Sequence, residues 1–383
     1  MQKKRIITII GARPQIIKAA AISRAIKNLF SQEIEELIVH TGQHYDENMS
    51  DVFFSTLGIP TPHINMAIGS GSHGEQTGKM MIRLEEIVLH EKPDALLVYG
   101  DTNSTLAGAL VAAKMHIPLI HVEAGLRSFN KSMPEELNRI ACDHMSTLLF
   151  SPSSAGLANL AKEGMNLARQ LKATIDHPNI YHCGDIMYDN SMHFAKISEE
   201  KSTILRELEL ANSPFVLCTI HRDSNTDDAT KLNAIFSALL KIQEISAYSI
   251  VLPLHPRARK KMDELLHPTI KNKLVANTKI KLIPPTGFLE IIALEKNAEL
   301  VITDSGGLQK EAFFFGKPCL ILREQTEWIE IVANGNAMLA GADEAKIIAA
   351  FESLNTRNDF TFPPFYGDAN AAEFICSKII SDL

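Results

Sequence analysis

A chain of 383 residues exceeds the range over which one hydrophobic core keeps growing, so two domains of roughly 180 residues each are expected. Its 45% hydrophobic and 22% charged residues, with 20 Gly and 17 Pro, exclude collagenous, disordered and coiled-coil classes. A net charge of -7 supplies no field for nucleic acid, so any phosphate site must be local.

The first residues run directly into Lys4 to Ile10, an apolar β-branched strand, without the apolar region of a leader peptide. No window reaches the ~18 apolar residues of a membrane span, and a cytoplasmic location without membrane partners is expected. Pro14 to Asn28 then reads as a helix, Glu36 to His40 as a strand, and Gly74 to Glu91 as a long helix. Ala95 to Val98, Leu119 to Val122 and Leu148 to Phe150 complete the strands of the first half. After Tyr181-His-Cys-Gly-Asp185, a charged helical stretch from Ser198 to Glu209 marks the crossover. A second series follows, with strands Phe215 to Ile220, Ser249 to Leu252, Ile280 to Ile283, Leu300 to Thr303 and Pro318 to Leu322. A last helix covers Ala369 to Ile380. Almost wholly apolar strands alternating with helices are the mark of parallel sheets covered on both faces, which predicts an α/β fold of two Rossmann-like, doubly wound domains. The five cysteines are odd in number and widely spaced, which fits reduced thiols better than disulfides or metal ligands.

In such folds ligands sit at the carboxyl ends of strands. Gly69-Ser-Gly71-Ser-His-Gly74 matches the literal dinucleotide pattern, but no strand precedes it, so it reads as a glycine loop. The first true β-α turn is Gly11-Ala-Arg13-Pro14-Gln15, where Arg13 and Lys18 either clamp a phosphate or are solvated cations. Asp101-Thr102-Asn103-Ser104 follows the strand at Ala95, where helix capping also selects such residues. Glu123 ends the next strand, and Pro134-Glu135-Glu136 opens a helix, where acids also suit the dipole. Three acids on neighbouring loops are equipment for moving protons. In the second half His221 and His255 each leave a strand. Ser305-Gly306-Gly307 opens a helix as an anion cradle, and Glu311, one turn on, is placed to accept from ribose hydroxyls.

Gly11-Ala-Arg-Pro-Gln-Ile-Ile-Lys18, Thr41-Gly-Gln-His44, Gly100-Asp-Thr102, His121-Val-Glu-Ala-Gly-Leu-Arg127, Pro134-Glu-Glu-Leu-Asn-Arg139, His221-Arg222 and Asp304-Ser-Gly-Gly-Leu-Gln-Lys-Glu311 occur in this order along essentially the whole chain. Together they resemble the non-hydrolysing UDP-N-acetylglucosamine 2-epimerases. The resemblance implies a glycosyltransferase-B type of fold, two Rossmann-like domains around a cleft. Its expected boundaries are 1–196, which holds the acids, 197–366, which binds UDP, and a helix at 367–383 returning to the first domain. It implies Asp101, Glu123, Glu135 and His221 as catalytic residues, and Arg13, Lys18, His255, Ser305, Gly306, Gly307 and Glu311 as substrate-binding residues. It also implies a homodimer, a UDP-sugar substrate and no cofactor, neither a hydride carrier nor a metal being required. The implied reaction interconverts UDP-N-acetylglucosamine and UDP-N-acetylmannosamine through a 2-acetamidoglycal, for surface polysaccharide synthesis.

Ala12 and Gln15 depart from the Gly-Thr-Arg-Pro-Glu of many members, and Tyr45 to Met49 lengthens a loop that some members use for an activating second substrate molecule. Thr102-Asn-Ser104, Phe313 to Cys319 and Gln325 to Glu330 are similar to the branch acting on UDP-2,3-diacetamido-2,3-dideoxyglucuronate. Its extra carboxylate would need a cation, for which Arg127 or Lys131 is the candidate, the alternative being that Arg127 holds the acids and Lys131 is solvated. A retaining glycosyltransferase on the same fold is a further alternative.

Overall fold

The computed structural model describes residues 3–43 and 60–383; His44 and the lengthened loop Tyr45 to Met49 lie outside the described residues. The chain forms two compact units, one of residues 1–190 with 364–383 and one of residues 191–363.

The first unit is built on a wholly parallel sheet in the order β3-β2-β1-β4-β5-β6-β7. Its strands are β1 (Lys4–Ile10), β2 (Ile34–His40), β3 (Ile64–Asn65), β4 (Ala95–Tyr99), β5 (Leu119–Val122), β6 (Leu148–Ser151) and β7 (Asn179–His182). The crossover helices are α1 (Arg13–Leu29), α2 (His73–Glu91), α3 (Asn103–Lys114), α4 (Pro134–His144) and α5 (Ser154–Lys162). The helix α6 (Ile186–Lys201) carries the chain from one unit into the other. On one face Ile7 and Ile9 of β1 and Leu96 and Val98 of β4 pack with Met80 and Leu84 of α2 and Ala107 of α3. A buried side chain of this size contributes about 1.5–3 kcal/mol, which is why the strands are nearly continuous apolar runs.

The second unit repeats the plan. The short helix α7 (Ile204–Glu207) precedes β8 (Phe215–Thr219). There follow α8 (Asp223–Thr226), α9 (Ala229–Ile245), β9 (Ser249–Pro253), α10 (Pro256–Leu265), α11 (Pro268–Ala276), β10 (Ile280–Ile283), α12 (Phe288–Asn297), β11 (Leu300–Thr303) and α13 (Gly306–Phe314). The unit ends with β12 (Cys319–Ile321), α14 (Ile329–Ala333), β13 (Ala337–Leu339) and α15 (Glu344–Asn355). The sheet is parallel in the order β10-β9-β8-β11-β12-β13. After Pro363 the chain re-enters the first unit, where α16 (Ala371–Asp382) packs on α1.

The second sheet has the doubly wound 3-2-1-4-5-6 order and the first has the same order with a seventh strand added, so each reverses direction between its first and fourth strands, β1 and β4 in one and β8 and β11 in the other. The loops that follow those four strands are where this topology opens a crevice for ligands.

The charged stretch expected as one helix from Ser198 to Glu209 is broken. α6 stops at Lys201, and the Ser202 hydroxyl accepts the Ile204 N–H at 3.4 Å, the local side-chain bonding that diverts a backbone from its helix. The glycine loop ends where Ser72 caps α2 by accepting from the Glu75 N–H. All five cysteines are free thiols.

Candidate functional site

At the end of β1 the backbone of Gly11 runs so close to its neighbours that a Cβ there would meet Ser104 Oγ at 2.1 Å and Thr41 Oγ1 at 2.2 Å. Gln15 reaches back from the first turn of α1. Its carbonyl accepts from the N–H groups of Gly11 and Ala12 at 2.9 and 3.1 Å, and its amide donates to the Tyr99 carbonyl at 2.9 Å. The glutamine that departs from the common motif is thus a buried brace between the ends of β1 and β4. A carboxylate there could not donate to Tyr99.

Lys18, one turn further, forms an ion pair with Glu123. Burial pushes the Lys18 pKa down, but Glu123, with Asp101 and Asp185 acting at longer range, outweighs it and the net shift is upward. Lys18 is therefore a cation among three carboxylates, and the sequence offered no sign of Asp185 as a member. Glu123 holds a left-handed backbone at φ +78°, a conformation a non-glycine residue keeps only when its surroundings impose it. Those surroundings are buried directly behind it. His121 Nδ1 bonds Asp143 at 2.7 Å while its Nε2–H donates to the Gly100 carbonyl at 2.9 Å. Asp143 also accepts from the Gly125 N–H at 3.1 Å and pairs with Arg127 at 2.7 Å. Burial alone would raise the Asp143 pKa, yet His121 and Arg127 hold it below the usual carboxylate range. Burial likewise opposes charge on His121, but Cys142 and Asp143 lift its pKa well above the ordinary value.

Arg127 is consumed by this bracing. Its side chain is 1% exposed and also bonds Glu163 at 2.6 and 2.7 Å, so of the two roles open to it from sequence the structure shows the one in which it holds acids. Lys131 is exposed.

Asp101 forms an ion pair with Arg139, and Asn138 donates to the Asp101 carbonyl at 2.9 Å. Thr102 is the cap of α3. Of the two glutamates that open α4, Glu136 is the buried one. It accepts from the N–H groups of Ser128 and Phe129 at 2.8 and 3.0 Å and pairs with Arg139 at 2.9 Å. Glu135 stands exposed in the first turn and makes no hydrogen bond or ion pair with Lys18, Asp101 or Glu123 among the described residues. Arg13 is exposed at the start of α1. Arg139, Asn138 and Asp143 were missed as site builders. Their helical spacing on α4 was the available signal, but nothing in it names their partners.

In the second unit β11 ends in Asp304, whose buried carboxylate accepts from the N–H groups of His221 and Arg222 at 3.1 Å each, from Asn225 at 3.1 Å, and from His221 Nδ1 at 3.0 Å. Burial raises its pKa, but His221, Arg222 and Asn225 outweigh that and keep it below the usual range. A carboxylate accepts only, so His221 carries a proton on Nδ1, and the ring, 53% exposed, has Nε2 left for other partners.

Ser305 caps α13, and Gly306 and Gly307 are its first two residues. Neither has a positive φ, and an added Cβ would meet nothing nearer than 3.8 Å at Gly306 or 3.9 Å at Gly307. Neither backbone conformation nor packing therefore asks for glycine there. The open face exposes helix N–H groups to whatever approaches. Trp328 Nε1 donates to the Gly306 carbonyl at 2.8 Å, and Arg323 pairs with Glu327 beside it at 2.8 Å. Glu311 follows one turn later, next to the buried Glu295. His255 caps α10 by accepting from the Arg257 N–H at 3.3 Å. Among the described residues no group of three or more His, Cys, Asp or Glu side chains is arranged to hold a metal ion.

The UDP-N-acetylglucosamine 2-epimerase family profile matches residues 27–380. A UDP-2,3-diacetamido-2,3-dideoxy-D-glucuronate 2-epimerase of Pseudomonas aeruginosa is 47% identical over 375 residues, 98% of this chain and 99% of that one. A UDP-N-acetylglucosamine 2-epimerase homolog of Methanococcus maripaludis is 45% identical over 370 residues, 96% and 97% of the two chains. The crystal structure of Methanocaldococcus jannaschii UDP-GlcNAc 2-epimerase in complex with UDP-GlcNAc and UDP superposes with a TM-score of 0.79 at 41% identity, covering 98% and 99%. With its two parallel-sheet units of glycosyltransferase-B type and these matches along its length, the chain belongs to the UDP-N-acetylglucosamine 2-epimerase family.

Proposed function

We propose that the chain interconverts UDP-N-acetylglucosamine and UDP-N-acetylmannosamine. The C2 proton is removed and UDP leaves C1 to give a 2-acetamidoglycal. UDP then adds back at C1 and a proton returns to C2 from the opposite face, so the reaction neither consumes water nor transfers a hydride. The observation that carries this reading is Glu123 held in a strained backbone, ion-paired to Lys18 with Asp101 close by. An imposed left-handed carboxylate on a strand end is a placement for chemistry rather than for stability.

In this reading Asp101, Glu123 and Glu135 carry the protons, assisted by the free Nε2 of His221. Arg13, His255 and the Ser305-Gly306-Gly307 turn hold the diphosphate, and Glu311 accepts from the ribose. Lys18, which the sequence suggests as a substrate ligand, also orients Glu123 through their ion pair. The glycines that nothing in the protein requires support the diphosphate assignment. Turnover in D2O tests the reaction: the product must carry deuterium at C2, and retention of the original hydrogen would overturn the elimination.

The Pseudomonas aeruginosa relative, 47% identical, favours a second reading in which the substrate is the diacetamido-glucuronate. We also infer a homodimer through the first unit, supported by Ile82 and Leu89 of α2, which are 62% and 61% exposed. Sedimentation of wild type and of Ile82→Glu checks it.

A further inference from the structure

Glu295 lies on α12, inside the second unit. Its side chain has no exposure at all, and neither carboxylate oxygen receives a hydrogen bond from a donor among the described residues. α12 packs against α13, and the group adjoining Glu295 is the carboxyl of Glu311. The other charged and titratable groups around it are occupied elsewhere. Lys296 of its own helix pairs with Glu199, and Lys310 of α13 lies over the Trp328 ring at 4.0 Å. Glu290 of α12, and Arg206 and Glu207 of the packed helix α7, make no ion pair with it. Cys319 of β12 is a buried thiol whose pKa is pushed up by burial and by Glu295 itself.

A buried carboxylate with no cation and no donor is not sustained in a protein interior; it keeps its proton. The O–H then needs an acceptor, and Glu311 supplies one. We propose that Glu295 is a positioning residue for the nucleotide: it donates its carboxylic O–H to the Glu311 carboxylate, so that Glu311 presents one fixed acceptor edge to the ribose hydroxyls of UDP. The bond limits the orientations open to the Glu311 carboxylate, and only some orientations of a carboxylate meet two vicinal hydroxyls. The proposal rests on the reading of Glu311 as the ribose ligand. Burial and the adjoining Glu311 raise the Glu295 pKa well above the ordinary carboxylate value. The pair therefore shares one proton, and once that proton is lost the two charges repel.

Calorimetric titration of full-length wild type, Glu295→Gln, Glu295→Leu and Glu311→Ala with UDP and with 2′-deoxy-UDP, from pH 6 to pH 9.5, tests this. Wild type prefers UDP over the deoxy nucleotide, and the preference declines as pH rises. Glu295→Gln keeps the donor, so its preference at pH 6.5 matches wild type and no longer declines with pH. Glu295→Leu loses the preference by roughly tenfold, the 1.4 kcal/mol equivalent of that ratio. If Glu295→Leu discriminates between the two nucleotides as wild type does, Glu295 is not a positioning residue. Should Glu295→Leu fail to fold, the pH dependence of wild type against Glu295→Gln still decides, since identical declines in both overturn the proposal. Unchanged UDP affinity in Glu311→Ala would instead remove the ribose reading on which the proposal stands.

Discussion

Lys18 forms an ion pair with Glu123 across 105 positions of sequence, and Glu123 meets it from a left-handed backbone at φ +78°. A lysine one turn into the first helix reads as a phosphate ligand; in this structure its ammonium pairs with the carboxylate that follows β5.

Lys18→Met is therefore expected to leave the Kd for UDP within about twofold while reducing kcat by roughly 10²-fold or more, the range of a lost proton-transfer group. Glu123→Gln should show the same split. Stopped-time NMR assays paired with UDP calorimetry check both. A variant that loses UDP affinity in proportion to activity would return Lys18 to the diphosphate.

Gly306→Ala and Gly307→Ala should fold as stably as wild type, or more stably by about 0.5–1 kcal/mol, because alanine is the better helix residue and the added methyl meets protein atoms only at ordinary contact distances, 3.8 Å at Gly306 and 3.9 Å at Gly307. UDP affinity should nonetheless fall, since the methyl occupies the approach to the helix N–H groups. Glu311→Ala should weaken UDP by ~1–3 kcal/mol, the loss of hydrogen bonds to a charged group. Thermal melts with and without UDP report both quantities. A lowered Tm without ligand would mean that the glycines serve packing.

Asp143→Asn is expected to destabilise the first unit by about 3–5 kcal/mol, because Arg127 and His121 are left buried beside a neutral group. The pH dependence has a defined sign. Asp143 is depressed, so its contribution is present above the ordinary carboxylate value of 3.8 and is lost as pH falls through the lowered one. His121 is raised, so its contribution is complete below 6.5 and is lost as pH rises through the elevated value. Denaturant unfolding from pH 3 to pH 9 should give wild type a fall at both ends and the variant a flatter profile. Equal slopes in the two proteins would show that the triad does not govern the titration.

The substrate branch is decided by comparing kcat/KM for UDP-N-acetylglucosamine with that for the diacetamido-glucuronate. A site built for the carboxylate should prefer the uronate by about tenfold or more, 1.4 kcal/mol of discrimination. With Arg127 buried in its own ion pairs, Lys131 is the exposed cation of that segment, and Lys131→Met should abolish such a preference. A preference that survives Lys131→Met assigns the carboxylate to other donors.

Much of this molecule is written locally. Strands such as Lys4–Ile10, Leu119–Val122 and Leu300–Thr303 are legible because a parallel strand buried on both faces is a continuous apolar run. The strand-end motifs are legible because a doubly wound sheet puts its ligands there. The strands Ile64–Asn65, Asn179–His182 and Ala337–Leu339 escaped notice, being two to four residues long at the rims of their sheets, too short for any period to show. What the sequence by itself determined is the fold class, the family and the chemical types of the residues gathered at the strand ends. Only the tertiary structure decided the pairings: Lys18 with Glu123, Arg127 with Asp143 and Glu163, Arg139 with Asp101, and Glu295 beside Glu311. A side chain's charge is a property of the residue, but its partner depends on which strand ends lie side by side. That is set by the order of strands in the sheet, which no local stretch of sequence contains.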